Sequence, residues 1–596
     1  MMIADTHDNI NIVSQLSPSE KPDLTRSILE AEQSKKRKRD ESRKMATYHE
    51  NSISALKEAG CKEAIQVPLQ RKYSGRKPII SNSLANTPCA SLGADEVLHR
   101  LNTLLGTPYT LTTSLSSLLQ SCISANYDFG TAYSRLRPGW FTDLMTIKAV
   151  QLKLEAEDQE TRKHVSTNNQ IRVAMPPRRV WDLYSNRIVL YCFILEEPWA
   201  VEHDWEDEKD LVSVTTPINA GEWPVPIPKD TNLNFIRIEL LNLGAEYVWL
   251  DTLCLRQKGG KREDLRKEEW ISDGSTIGNV FRWSEVVVHY LNGLGKVSDR
   301  TSLKRRHLDI CDRSWFHCAW TLPEVNNHDV VAGYVPTDTE QTEQLEVELT
   351  NSQKPLAGYM NDGLQDAEQT EEESRVRGVN LFAMLASMQN RVSINPVDKI
   401  AGLIYPLRSH TIPTYYESES LEEAWTTLVN TIHAMHRGQL LAYPEPGDAG
   451  TKWRPSWDQV MAKPLPVDRF HPLSVYQDEE MDEDFCDEFC IEKVYVRGLA
   501  MVEGFRHGEL IAKDTAGIEY VFNGITASHR YPIPEDTYTL LIPSHHTIQS
   551  PLYCVAGKRL PGKRFVKVSV FEMPDSEEVK RLEELGIAVK DRHILV

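Results

Sequence analysis

The chain changes its hydrophobic rhythm several times. The stretch DEVLHRLNTLLG sets Val97, Leu98, Leu101, Leu104 and Leu105 on one face at helical spacing, and Gly106 stops it. LSSLLQSCISANYDFGTAYSRL continues as a second helical stretch. From 198 the pattern alternates. PWAVEHDW (198–205) is a short extended run ending in His203 and Asp204. LNFIRIELLNLG (233–244) has Phe235, Ile236, Leu240, Leu241 and Leu243 at helical spacing, with Gly244 as its C-terminal stop. YVWLD (247–251) is a continuous apolar strand of the kind buried on both faces of a parallel sheet. REDLRKEEW (262–270) reads as a charged helix, EVVVHYL (285–291) as a β-branched strand, and DRSWFHCAWTLPEV (312–325) returns to helical spacing. Strand and helix in alternation predict a doubly wound α/β sheet, parallel in its core.

The rest of the chain divides around that unit. VNLFAMLASMQNR (379–391) and SLEEAWTTLVNTIHAMH (420–436) are amphipathic helices on either side of the apolar DKIAGLIYPL. Past Ile491, short strands alternate with Gly and Pro turns before a last helix, SEEVKRLEELG, which predicts a β-rich C-terminal domain. The expected division is a disordered tail (1–92), a helical region (93–175), the α/β domain (176–335), an acidic loop-rich insertion (336–375), a second helical region (376–475), an acidic linker (476–490) and the β-rich domain (491–596).

Composition narrows the function. The formal net charge of −19 over 596 residues argues against wholesale binding to nucleic acid or anionic membrane. No apolar run approaches the ~20 residues of a membrane span, and the start, MMIADTHDNINIV, lacks the basic and apolar parts of a signal peptide. The ten cysteines include no CxxC pair, so neither a disulfide framework nor a zinc site is expected. An intracellular, cytoplasmic protein fits these features. The run Lys35–Arg39, five basic residues in succession, reads either as a nuclear-import signal or as a solvated charge run. Eight acids in the eleven residues from Asp478 to Glu488 read as a solvated linker. Gly293–Gly295 lacks the spacing of a phosphate loop and reads as a turn.

Candidate chemistry gathers at the strand ends. Ligands of open α/β sheets sit outside the carboxyl ends of the strands, where His203, Asp204 and Asp251 all fall. Asp251 is either a site residue or the cap of the following turn. Cys254 reads as a small buried hydrophobe.

YVWLDTLCLRQ followed by CAWTLPE resembles the signature of the fungal heterokaryon-incompatibility (HET) domain, over about residues 176–335. PVDKIAGLIYPL (396–407) and KWRPSWDQV (452–460) look like segments that accompany that domain. Glu202 and His203 stand where the family usually has Ser and Tyr or His, and Pro323 replaces a usual Gln. The resemblance implies a flavodoxin-like fold similar to Toll/interleukin-receptor (TIR) domains, and a role in non-self recognition and programmed cell death. Some TIR domains cleave the nicotinamide–ribose bond of NAD with a Glu four residues after a Trp, the spacing of Trp320 and Glu324 here. The resemblance thus implies Glu324 and Asp251 as catalytic carboxylates and Trp320, His203 and Gln257 as substrate-binding residues. NAD would be a substrate, with no separate cofactor. The residues themselves favour Trp320 as core, with Glu324 as a partner of Arg313 or Arg282. Two further classes stay open: a non-enzymatic module acting by self-association or through protein partners, and a degenerate member without death activity.

Overall fold

The computed structural model describes residues 48–55, 72–141, 144, 146–167, 170–171, 175–194, 196–204, 208–290, 293–296, 319–320, 329–332, 380–407, 411–466, 473–478, 481–502, 506–543 and 551–596. The basic run Lys35–Arg39, the insertion 336–375 and Glu324 lie outside the described residues.

The central sheet holds β1 (Arg179–Asp182), β2 (Arg187–Leu190), β3 (Trp199–His203), β4 (Tyr247–Leu250), β5 (Val287–Tyr290) and β6 (Asp329–Val331), in the order β6-β5-β3-β4-β1-β2. Strands β3 to β6 run parallel, and the β1–β2 hairpin joins antiparallel beside β4. Their apolar character has a direct cause. Val248, Trp249 and Leu250 are all buried, because helices cover both faces of a parallel core. The connection from β3 to β4 contains the helix Leu233–Leu243, capped by Asn232 at its start and closed by Gly244 at φ 114°. That left-handed geometry is one only glycine adopts cheaply. Between β4 and β5 lie a single helical turn, Asp251–Cys254, and the helices Glu263–Asp273 and Ile277–Trp283.

The N-terminal helices Cys89–Leu105, Thr113–Ser124 and Phe129–Leu136 share one hydrophobic core with this sheet. Buried arginines fasten the two together. Arg137 donates to Asp182 Oδ1 (2.9 Å) and Tyr247 Oη (2.7 Å), and Arg237 donates to the carbonyls of Leu183 (2.8 Å) and Ile80 (2.7 Å). The expected tail up to residue 92 therefore ends earlier. Strand Lys72–Gly75 pairs with Asn51–Ser54, and Ile79 and Ile80 are core residues.

The C-terminal part closes on itself. Strands β7 (Glu483–Arg497), β8 (Arg506–Lys513), β9 (Glu519–Ala527), β10 (Asp536–Ile542), β11 (Leu552–Arg559) and β12 (Arg564–Met573) pair in the ring β7-β8-β9-β12-β11-β10 and back to β7. A last strand, β13 (Val589–Leu595), lies along the first half of β7. From Glu483 on, the acidic stretch expected as a linker is instead the start of β7. Asp484 meets Arg437 and accepts from the Trp453 indole (2.8 Å), and Asp487 pairs with Arg592 (2.7 Å). Ile491, where the hydrophobic period changes, opens an irregularity in the middle of that strand. A second core joins Cys486, Cys490, Phe565 and Leu595 of the barrel to the helices Leu381–Gln389 and Leu421–Thr431. The barrel's interior, with Val494, Val496 and Phe522, is a third. Among the described residues no helix is long and apolar enough to cross a membrane.

Candidate functional site at the carboxyl end of the parallel strands

Register sets what meets here. Val201 of β3 lies beside Leu250 of β4, and His203 lies beside Tyr290 of β5. Successive strand residues point to opposite faces, so the Glu202–His203 dipeptide serves both sides of the sheet. Glu202 Oε2 is 2.6 Å from His289 Nδ1, with both side chains buried. His203 turns the other way, its Nε2 3.0 Å from Asp251 Oδ1 and its Nδ1 3.3 Å from the Asp204 carbonyl. Two histidine–carboxylate pairs thus stand at one strand end, one interior and one at the rim. Beside them, the Tyr290 hydroxyl donates to Glu239 Oε2 (2.7 Å), and burial pushes that phenol far above its ordinary value.

The turn after β4 is knotted by its own motif. Asp251 Oδ1 accepts the Thr252 N–H (2.6 Å), so one oxygen both braces the turn and meets His203. The Asp251 carbonyl accepts from the Leu255 N–H (2.9 Å) and from Gln257 Nε2 (3.1 Å), which also reaches the Leu255 carbonyl (3.1 Å). Cys254 accepts weakly from the Leu250 N–H (3.5 Å), and burial pushes its thiol up to about 12. It is a packed, unreactive sulfur, as expected. Trp223 adds an indole N–H to the Thr252 carbonyl (3.4 Å), and the guanidinium groups of Arg179 (5.4 Å) and Arg256 (5.0 Å) lie over its ring.

The structure thus brings Asp251 and His203 together and commits the Gln257 amide to the backbone of the turn. Trp320 has other company. Its ring centroid lies 6.4 Å from that of Tyr415, and its indole bonds Asp398, whose carboxyl also accepts from the Tyr415 hydroxyl (2.7 Å) and the Asn395 N–H (3.3 Å). Burial raises Asp398 to about 6 against those bonds. Trp320 packs against both the sheet core and the helical core, at their seam.

Sequence reasoning did not single out Glu202, His289 or Trp223 as parts of this site. A histidine inside the otherwise apolar EVVVHYL was the available signal, since a buried imidazole needs a partner. No cluster of His, Cys, Asp and Glu able to hold a metal ion occurs among the described residues. Comparison with protein-family models, with curated proteins and with solved structures finds no match to this chain.

Proposed function

We propose that the chain is a fungal heterokaryon-incompatibility-type protein of non-self recognition and programmed cell death, acting inside the cell through its α/β domain. Counted along the chain, the four parallel strands stand in the sheet as second, first, third and fourth. That order supports a flavodoxin-like, TIR-like layout, whose ligand crevice lies at the carboxyl ends of the first and third strands. The observation that carries the reading is the meeting of His203 and Asp251 at that edge, with Asp251 still 22% exposed.

The chemistry proposed is hydrolysis of NAD. The bond between ribose and nicotinamide breaks with its electron pair leaving on nicotinamide. Water adds to the ribose carbon and releases one proton, giving nicotinamide and ADP-ribose. Positive charge develops on the sugar as the bond lengthens, and a carboxylate fixed beside it stabilises that charge. Asp251 is one such carboxylate and Glu324 the other in this proposal. A second reading, signalling by self-association without catalysis, is favoured by a specific observation: Gln257 and Trp320 both have packing partners.

The test is incubation of the purified full chain with NAD, assayed for free nicotinamide, alongside expression in fungal cells scored for viability. Release that falls roughly 100-fold or more in both Asp251→Asn and Glu324→Gln supports the enzyme. No release, with killing retained in both variants, leaves the self-association reading in its place.

A further inference from the structure

We propose that His203 is held as an imidazolium ion in the resting protein, and that it anchors one oxygen of Asp251 while leaving the other open to a positively charged reacting group. The substrate part of this inference rests on the NAD reading above; the state of His203 does not.

The argument starts from what the ring faces. Nδ1 is 3.3 Å from the Asp204 carbonyl and Nε2 is 3.0 Å from the Asp251 carboxylate. Both are acceptors. A neutral imidazole carries one N–H and one lone pair, so either tautomer would turn a lone pair onto an oxygen. The His203 side chain is only 6% exposed, so water does little to relieve such a contact. The doubly protonated ring satisfies both oxygens at once. Its surroundings agree in sign. Asp251 lies against it from the turn after β4, and Asp204 follows it directly in the chain, just past the end of β3. On β5 its register neighbour is Tyr290, whose hydroxyl is bonded to Glu239 of the Leu233–Leu243 helix. The Glu202–His289 pair occupies the opposite face of the sheet.

Two donors then converge on Asp251 Oδ1, the Thr252 N–H at 2.6 Å and His203 Nε2 at 3.0 Å. Oδ2 has no hydrogen-bond partner among the described residues, on a side chain that is 22% exposed. Asp251 thus presents a fixed, open carboxylate oxygen, which suits a group that gains positive charge as it reacts, such as the ribose of a pyridinium nucleotide. His203 is a positioning residue: it acts through Asp251.

The experiment labels the full chain with 15N-histidine and follows the ring nitrogens by NMR across pH, with His203 assigned as the signal lost in His203→Gln. If that variant does not fold, His203→Asn serves for assignment. The expected result is the pattern of two protonated nitrogens, persisting at least about one pH unit above the ordinary histidine midpoint of ~6.5, a tenfold gain in proton affinity. Asp251→Asn should bring the midpoint back down. A neutral ring at about pH 6.5, or a midpoint that Asp251→Asn leaves unmoved, overturns the proposal. Nicotinamide release provides the second readout. Wild type should lose activity as His203 loses its proton, and that alkaline limb should vanish in His203→Gln. An imidazolium signature with no nicotinamide release at any pH would overturn the NAD reading and leave the assignment of His203 standing.

Discussion

In the barrel, buried basic side chains end on backbone carbonyls: Lys567 donates to the Trp453 carbonyl (3.2 Å) and Arg506 to that of Leu499 (2.7 Å). At the carboxyl end of the α/β sheet, the buried rings of His203 and His289 meet carboxylates instead. The two arrangements do different work. A basic side chain on a carbonyl fastens one segment to another, as Lys567 of β12 holds the loop before the Trp457–Ala462 helix. A histidine on a carboxylate instead pairs two titratable groups, and at the rim it leaves an acid oxygen exposed. Within the sheet the same contrast repeats over one residue: Glu202–His289 is sealed, whereas His203–Asp251 opens outward.

The largest effect should come from breaking the sealed pair. Glu202→Ala leaves His289 buried without its acid, and removal of one partner of a buried pair costs about 3–5 kcal/mol. Replacing both with apolar residues of similar volume, Glu202→Met with His289→Leu, should instead fall near neutral or stabilise. Denaturant melts of the single and double variants check this. A single variant that loses no more than the ±0.5 kcal/mol of an ordinary surface change would erase the distinction between interior and rim.

Much of this contrast could not be read from the chain. The 247–250 strand and the 233–243 helix were legible because their signals are local: an apolar run, helical spacing, a Gly stop. The His203–Asp251 contact joins residues 48 apart through parallel register, which no local pattern encodes. The acids of β7 misled for the same reason. Their counter-charges, Arg437 and Arg592, stand 47 and 105 residues away, so a strand with paired acids looked like a solvated linker.

A smaller effect is expected in the barrel. Burial lowers the Lys567 amine well below its ordinary 10.5. The folded chain therefore gives up that proton at lower pH than the unfolded chain does. Between the two midpoints the unfolded state binds more protons, so stability rises with pH and is lost as pH falls. Lys567→Met should remove that slope and stabilise the protein by about 1–2 kcal/mol at neutral pH, since a buried polar group is replaced by an apolar one. Unfolding free energies of both proteins across pH measure it. Destabilisation by the methionine would mean that the bond to Trp453 outweighs the burial of the amine, and that barrel and sheet do not differ in this respect.

The smallest stability effect should fall on the residue with the largest functional one. Asp251→Asn keeps an oxygen for the Thr252 N–H and for His203, and changes volume little. The lost charge is partly exposed and its pairing partly screened. The expected cost is under about 1 kcal/mol, a melting shift of only a few degrees. Nicotinamide release, by contrast, should collapse, because the carboxamide carries no charge to set against the sugar. Thermal scans and the release assay on one preparation separate the two quantities. A large loss of stability would make Asp251 a structural cap, equivalent in kind to the sealed Glu202. Unchanged release would make the rim pair a structural brace as well and assign the chemistry to other residues.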